Sequence, residues 1–161
     1  MARRTLVTTL RAALLLPALL APASATWAAE TVDRRTGCRF EMPADWQGHA
    51  GQWIGACPGM RADGRGVLRI LQGGQLAALF LGEMSQGRPA LGVIEVAGGY
   101  MAGRFAEGRL LDTDDRNQII EAFRTASVAA REASEQFRRN GNEASARHYA
   151  ALAERLAGQM D

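Results

Sequence analysis

Between Gly37 and Gly103 the apolar positions alternate with polar ones or run in short blocks broken by glycine. Such blocks predict strands, because successive side chains of a strand point to opposite faces. Gly37–Met42 sets Cys38, Phe40 and Met42 on one side and Arg39 and Glu41 on the other, and Pro43 ends it. Val67–Leu71 and Leu76–Leu81 flank Gln72-Gly73-Gly74-Gln75, and Val93–Val96 and Tyr100–Ala102 flank Ala97-Gly98-Gly99. Paired glycines accept the positive φ of a tight turn, so each stretch predicts a β-hairpin. The segment around Cys38–Met42 is expected as an edge strand capping the first hairpin unit.

After Leu111 the period changes. Ile119, Ile120, Phe123, Ala126, Ala130, Ala133 and Phe137 recur at steps of three and four, predicting an amphipathic helix to about Arg139. Asp112-Thr113-Asp114-Asp115 supplies N-cap and first-turn carboxylates, and Asn140-Gly141-Asn142 supplies a left-handed stop and the cap of a second helix. That helix starts near Glu143 and carries Ala146, Tyr149, Ala150, Ala153, Leu156 and Met160 on one stripe. The pair is too short to stand alone, so its apolar stripe is expected to cover the sheet, with self-association or partner docking as the alternative.

A second periodicity overlies the strands. An aromatic residue precedes Gly by two or three positions in Trp53-Ile54-Gly55, Phe80-Leu81-Gly82 and Tyr100-Met101-Ala102-Gly103, and further glycines follow each. Ala62-Asp63-Gly64-Arg65-Gly66-Val67 closes the first copy, and Gly87 with Gly92-Val93 the second. These segments resemble the MORN repeat, over some 60 residues. Cys57 and Met84 stand where that family usually has Trp or Phe, and the third copy has an extra residue before its Gly. The resemblance implies an elongated single-layer row of hairpins with a scaffolding or recognition role and no fixed catalytic activity. The fold class expected is therefore α+β, an array of antiparallel hairpins (26–111) followed by a helical hairpin (112–161). Trp53, Phe80, Tyr100 and Phe105 are expected mainly as core stacked between rungs; where they stay exposed they form the candidate binding surface.

The first 25 residues read as a removable export signal. Arg3, Arg4 and Arg11 precede or enter an apolar stretch broken by Pro17, and Ala23-Ser24-Ala25 offers a small-x-small cleavage site. Arg3-Arg4-Thr5-Leu6-Val7 loosely resembles a twin-arginine motif. The mature protein is expected in the periplasm or outside the cell, with no membrane-spanning segment. Cys38 and Cys57 then meet in an oxidising compartment, and a disulfide is expected over a catalytic thiol or a metal site, since His49 alone leaves a metal one ligand short.

All 19 basic residues are Arg, and three lie in the export segment, which holds no acid; the mature chain thus faces 17 acidic residues with a net charge near −1. That balance disfavours nucleic acid as a partner. No nucleophile elbow, phosphate loop or zinc-protease motif occurs, and no catalytic residue, metal or cofactor is expected. His49 and His148 lie far apart, the Asp112–Asp115 run lacks the form of a calcium loop, and Glu83 and Glu95 are the sole acid–base pair worth testing for a small hydrolase. The functional expectation is a non-enzymatic exported module that binds a protein or envelope component, with a structural piece assembled through the helices as the alternative.

Overall fold

The computed structural model describes residues 29–160; the expected export signal lies outside them. The chain is α+β. Strands β1 (Glu30–Val32) and β2 (Arg39–Glu41) form a small antiparallel hairpin. Then β3 (Ala50–Gly55), β4 (Gly64–Gln72), β5 (Gln75–Ser85), β6 (Arg88–Val96), β7 (Gly99–Ala106) and β8 (Arg109–Leu110) pair in sequence order as a six-stranded antiparallel meander. Helices α1 (Arg116–Arg139) and α2 (Glu143–Ala157) follow.

A row of glycines crosses the meander in register. Gly55 lies opposite Gly66, Gly66 opposite Gly82, Gly82 opposite Gly92, and Gly92 opposite Gly103. The next row on the same face, two positions along each strand, is Trp53, Leu68, Phe80, Ile94 and Met101. The glycines are there for space. A Cβ on Gly82 would sit 2.7 Å from the Gly92 Cα and 3.0 Å from the Phe80 ring, and one on Gly66 would strike the Trp53 indole at 2.6 Å. Strand backbones approach and the large rings fold down only because nothing projects from the glycine row.

This register explains the irregular third copy. Trp53 and Phe80 stand two residues before their Gly and share its face, whereas Tyr100 stands three before Gly103 and therefore turns to the opposite one. Met101 takes the aromatic's place in the row. Tyr100 instead packs edge-to-face on Phe123 of α1, with centroids 5.8 Å apart.

Both faces of the meander are covered, unlike the single-layer sheet that the repeat resemblance implies. On one face Ile54, Val67, Leu79, Leu81, Leu91 and Val93 share a core with α1 and α2. The helical pair thus covers the sheet. On the other face Trp53, Leu68, Ile70, Phe80, Ile94 and Phe105 share a core with Cys38, Phe40 and Met42 of the N-terminal segment. The alternation read from the sequence holds there, since those three side chains are buried and Arg39 is exposed.

The place of that segment differs from the expected edge strand. β2 does not extend the meander; it crosses the ends of the hairpins as a strap. Ala62 N–H donates to Arg39 O (2.9 Å), Gly87 N–H to Ala62 O (2.6 Å), Glu41 N–H to Gly87 O (2.7 Å) and Ala44 N–H to Gly108 O (2.8 Å). Gly87 and Gly108 complete two-residue turns in which both residues have positive φ, with Gln86 at 50° and Glu107 at 51° before them, the twist that tight hairpins favour. The apolar face of a short sheet has to be buried, and the strap buries it where an edge strand would not.

The helix boundaries follow their caps. The Asp115 carboxylate accepts from Asn117 N–H at 2.9 Å and the Asn142 side chain from Ser145 N–H at 3.0 Å, with Gly141 left-handed between the helices at φ 74°. Two buried serines join the helices: Ser127 Oγ donates to Ala153 O (2.9 Å) and Ser134 Oγ to Ala146 O (2.7 Å). Both pairs are seven residues apart on their helices, which fixes the antiparallel register.

Candidate functional site

The sequence-derived residues fall into the interior. Cys38 and Cys57 form the expected disulfide, with Cα atoms 6.1 Å apart, and tie the strap to the loop after β3. Trp53 is 4% exposed, Phe80 0% and Phe105 8%; Phe105 meets Phe80 edge-to-face at 5.4 Å. Tyr100 is half-buried on the helix side. The strap and the helices occupy the two faces on which these rings lie, so the four do not form an exposed aromatic stripe.

The carboxylates weighed as an acid–base pair are far apart. Glu83 lies opposite Leu91, and Glu95 lies opposite Leu79. Four strand positions along β5 separate the two sites, about 13 Å at the strand rise, beyond the spacing of a glycosidase pair. Glu95 faces Arg155 of α2 at 3.8 Å. His49 places Nδ1 3.1 Å from Trp46 O, and His148 lies edge-to-face on Tyr149. Among the described residues no group of three His, Cys, Asp or Glu side chains could hold a metal ion, and no helix is long and apolar enough to cross a membrane.

What the strand pattern alone did not reveal is the treatment of the two sheet edges. β3 is the first strand of the meander, and its outer edge is met by Asp33, from the turn between β1 and β2. Asp33 is fully buried. Its carboxylate accepts from Trp53 N–H (3.0 Å) and Arg35 N–H (2.9 Å), with the Arg35 guanidinium 3.4 Å away. Burial pushes this carboxyl up, but the hydrogen bonds from Arg35 and Trp53 and the Arg35 charge outweigh it, so it lies below the ordinary Asp value. Asp33 is a polar residue in a short turn, and the sequence offered no signal that it would fold inward.

The opposite edge is bare. β8 pairs only with Phe105 and Ala106 of β7, and Leu111 N–H adds one bond to Arg104 O. Strand alternation points the N–H and C=O groups of Tyr100 and Ala102 outward on this side, and among the described residues no strand lies beside them. Between Gly99 and Gly103 there is neither a proline nor a charge, the devices that usually protect an edge.

Ion pairs tie the layers together. Arg65 of β4 reaches Glu132 of α1 through Nε (3.0 Å) and Nη2 (2.7 Å), which raises the Arg65 pKa further, and Arg104 of β7 meets Glu121 at 2.9 Å. Arg61 meets Glu30 at 2.9 Å, and Arg88 lies 3.4 Å from Glu41. Apart from Glu41, whose side chain is mostly buried, these groups are about half exposed, and the exposed pairs orient more than they stabilise. Tyr149 is held above its ordinary pKa by burial, with Arg69 and Arg35 pulling the other way and Glu95 adding to the rise.

Comparison of the chain with protein-family models, with curated proteins and with solved structures returned no match.

Proposed function

We propose that this protein is a non-enzymatic, exported interaction module that offers its hairpin sheet to a protein of the cell envelope, as its resemblance to MORN repeats implies. The observation that carries the reading is the contrast between the two edges. A buried carboxylate meets the outer edge of β3, while among the described residues the main-chain groups of Tyr100 and Ala102 on β7 have no strand beside them. A partner segment in extended form would continue the meander there, with main-chain hydrogen bonds giving affinity and the half-buried Tyr100, Met101 and Ala102 giving contact. The disulfide supports an oxidising destination. Assembly through the helices has less to draw on, because their apolar stripes already pack on the sheet and on each other.

A photo-crosslinking amino acid at position 102, introduced in cells that export the protein, tests the reading. It predicts a discrete adduct with an envelope protein, lost in a Tyr100→Pro background that remains folded, since Tyr100 N–H faces outward. Absence of any adduct at position 102, with adducts forming from exposed positions on α2 such as Ala151, would contradict it.

A further inference from the structure

The last strand of the meander stops short of its neighbour. Leu111 N–H bonds Arg104 O at 2.8 Å, and beyond it the chain turns off toward α1, with Thr113 Oγ1 accepting Asp115 N–H at 3.1 Å. The line that β8 would have followed along β7 is left open at Ala102 and Tyr100. Among the described residues nothing bonds the outward main-chain groups of these two, and both residues are partly exposed. The slot covers positions 100–102. The Ala97-Gly98 turn bounds it at one end, and Leu111 and Thr113 bound it at the other, where they pass Gly103. Three features say what fits.

The first is direction. β8 runs antiparallel to β7, as every neighbouring pair in the meander does. A segment that prolongs the line of β8 is antiparallel too, and its N-terminal end meets the loop 111–113.

The second is charge. Asp112 and Asp114 are exposed, and among the described residues neither has an ion pair or a hydrogen bond, whereas Asp115 is committed to the cap of α1. Arg109 and Arg116 flank the loop without pairing to either, and Arg104 is taken up by Glu121. Two free carboxylates at this end of the slot favour a cation there. An antiparallel segment meets them with its N-terminal end; a parallel one would bring its C-terminal end.

The third is apolar lining on both faces. Tyr100 and Ala102 are partly buried against the core on the helix side, and Met101 against the core on the strap side. Ile119 lies one turn before Phe123, the ring that Tyr100 touches, and Leu111 is exposed at the mouth of the slot. Cross-strand neighbours on either face are therefore apolar. A strand covered on both faces reads as a continuous apolar run, not as an alternating one.

We propose that this slot receives an extended segment antiparallel to β7, with a positive charge at its N-terminal end followed by a short apolar run. The inference rests on the reading of the protein as an interaction module and gives the chemistry of the segment that β7 takes up. The charge can be a basic side chain or a free amino terminus, and the test separates these sources.

NMR titration of the isotope-labelled exported protein reads the Tyr100 and Ala102 amides directly. The probes are acetyl-Lys-Val-Ile-Val-Thr-amide, the same peptide with Gln for Lys, and Val-Ile-Val-Thr-amide with a free amino terminus. Saturable shifts at both amides with the Lys peptide or the free-amine peptide support the site, and the tighter of the two identifies the source of the charge. The Gln peptide should bind about fivefold or more weakly, as expected for losing exposed charge pairs. In the Lys peptide, N-methylation of either Val removes a donor to Ala102 O or Tyr100 O and should abolish binding, while N-methylation of Ile, opposite Met101, should not. Asp112→Lys combined with Asp114→Lys should weaken the Lys peptide by about fivefold or more, and Arg147→Glu on α2 should leave it unchanged. An unaltered unfolding midpoint verifies that the loop variant is folded. The proposal is overturned if neither charged peptide shifts these amides, if the Gln peptide binds as tightly as they do, if the loop variant binds as the parent does, or if methylated Ile is as damaging as methylated Val. Silence from every peptide together with an adduct at position 102 would remove this ligand and leave the interaction role standing; silence in both would remove both.

Discussion

The Asp33 carboxylate accepts the Trp53 main-chain N–H at 3.0 Å, joining the first turn of the described chain to the outer strand of the meander. One side chain here closes a strand edge, anchors the strap and satisfies a donor that a missing neighbour strand would otherwise leave orphaned. Replacement by Ala should cost about 2–3 kcal/mol, the range for losing charged hydrogen bonds and leaving a buried donor unpaired. Urea unfolding of Asp33→Ala against the parent would measure it, and a midpoint unchanged would contradict the assignment.

The same carboxylate sets an acid dependence. Its pKa is depressed in the folded state, so its contribution is complete above the unfolded value of about 4 and fades as pH falls through the lower folded value. The parent should therefore lose stability on acidification below about pH 4 more steeply than Asp33→Asn, which lacks the titrating group. Parallel acid limbs for the two proteins would contradict the depressed pKa.

The Cys38–Cys57 bond spans 19 positions and holds the strap against the loop after β3. In the chain-entropy account it stabilises by about 3 kcal/mol. The Cys38→Ala, Cys57→Ala double variant should unfold at lower denaturant by that amount and should not respond to a reductant that shifts the parent. An equal response in both would mean that the bond does not form in solution.

Ser127 and Ser134 sit in an otherwise Ala-rich seam between the helices. Each Ser→Ala exchange should cost about 1 kcal/mol, and the two should add, since the bonds are two helical turns apart. Strong non-additivity in a double-mutant cycle would show that they act as one network.

Much of the fold was legible because it rests on local periodicity. The hairpins at Gly73-Gly74 and Ala97-Gly98, the caps at Asp115 and Asn142 and the helical stripes follow from turn chemistry and from strand and helix spacing. The disulfide followed from counting cysteines in a chain expected to be exported. What escaped has no local signal. Alternation buried Phe40 and Met42 correctly, but it cannot say whether a strand lies beside its neighbours or across their ends. Ser127 and Ser134 drew no expectation from the sequence, because a serine that bonds a carbonyl on another helix looks like any other. Nothing in the sequence marks Asp33 as buried, and the outward main-chain groups of Tyr100 emerge only from the pairing order.

The central claim is that the row Gly55–Gly66–Gly82–Gly92–Gly103 makes the sheet possible by leaving room for neighbouring backbones and for the Trp53 and Phe80 rings. Comparing thermal and urea unfolding of Gly82→Ala and Gly98→Ala tests it most directly, since a Cβ at Gly82 meets the Gly92 backbone whereas one at Gly98 meets nothing within 4 Å. The account predicts a loss of about 3 kcal/mol for Gly82→Ala, at the upper end for overpacking, and a neutral or slightly stabilising Gly98→Ala. A Gly82→Ala protein as stable as the parent would contradict it.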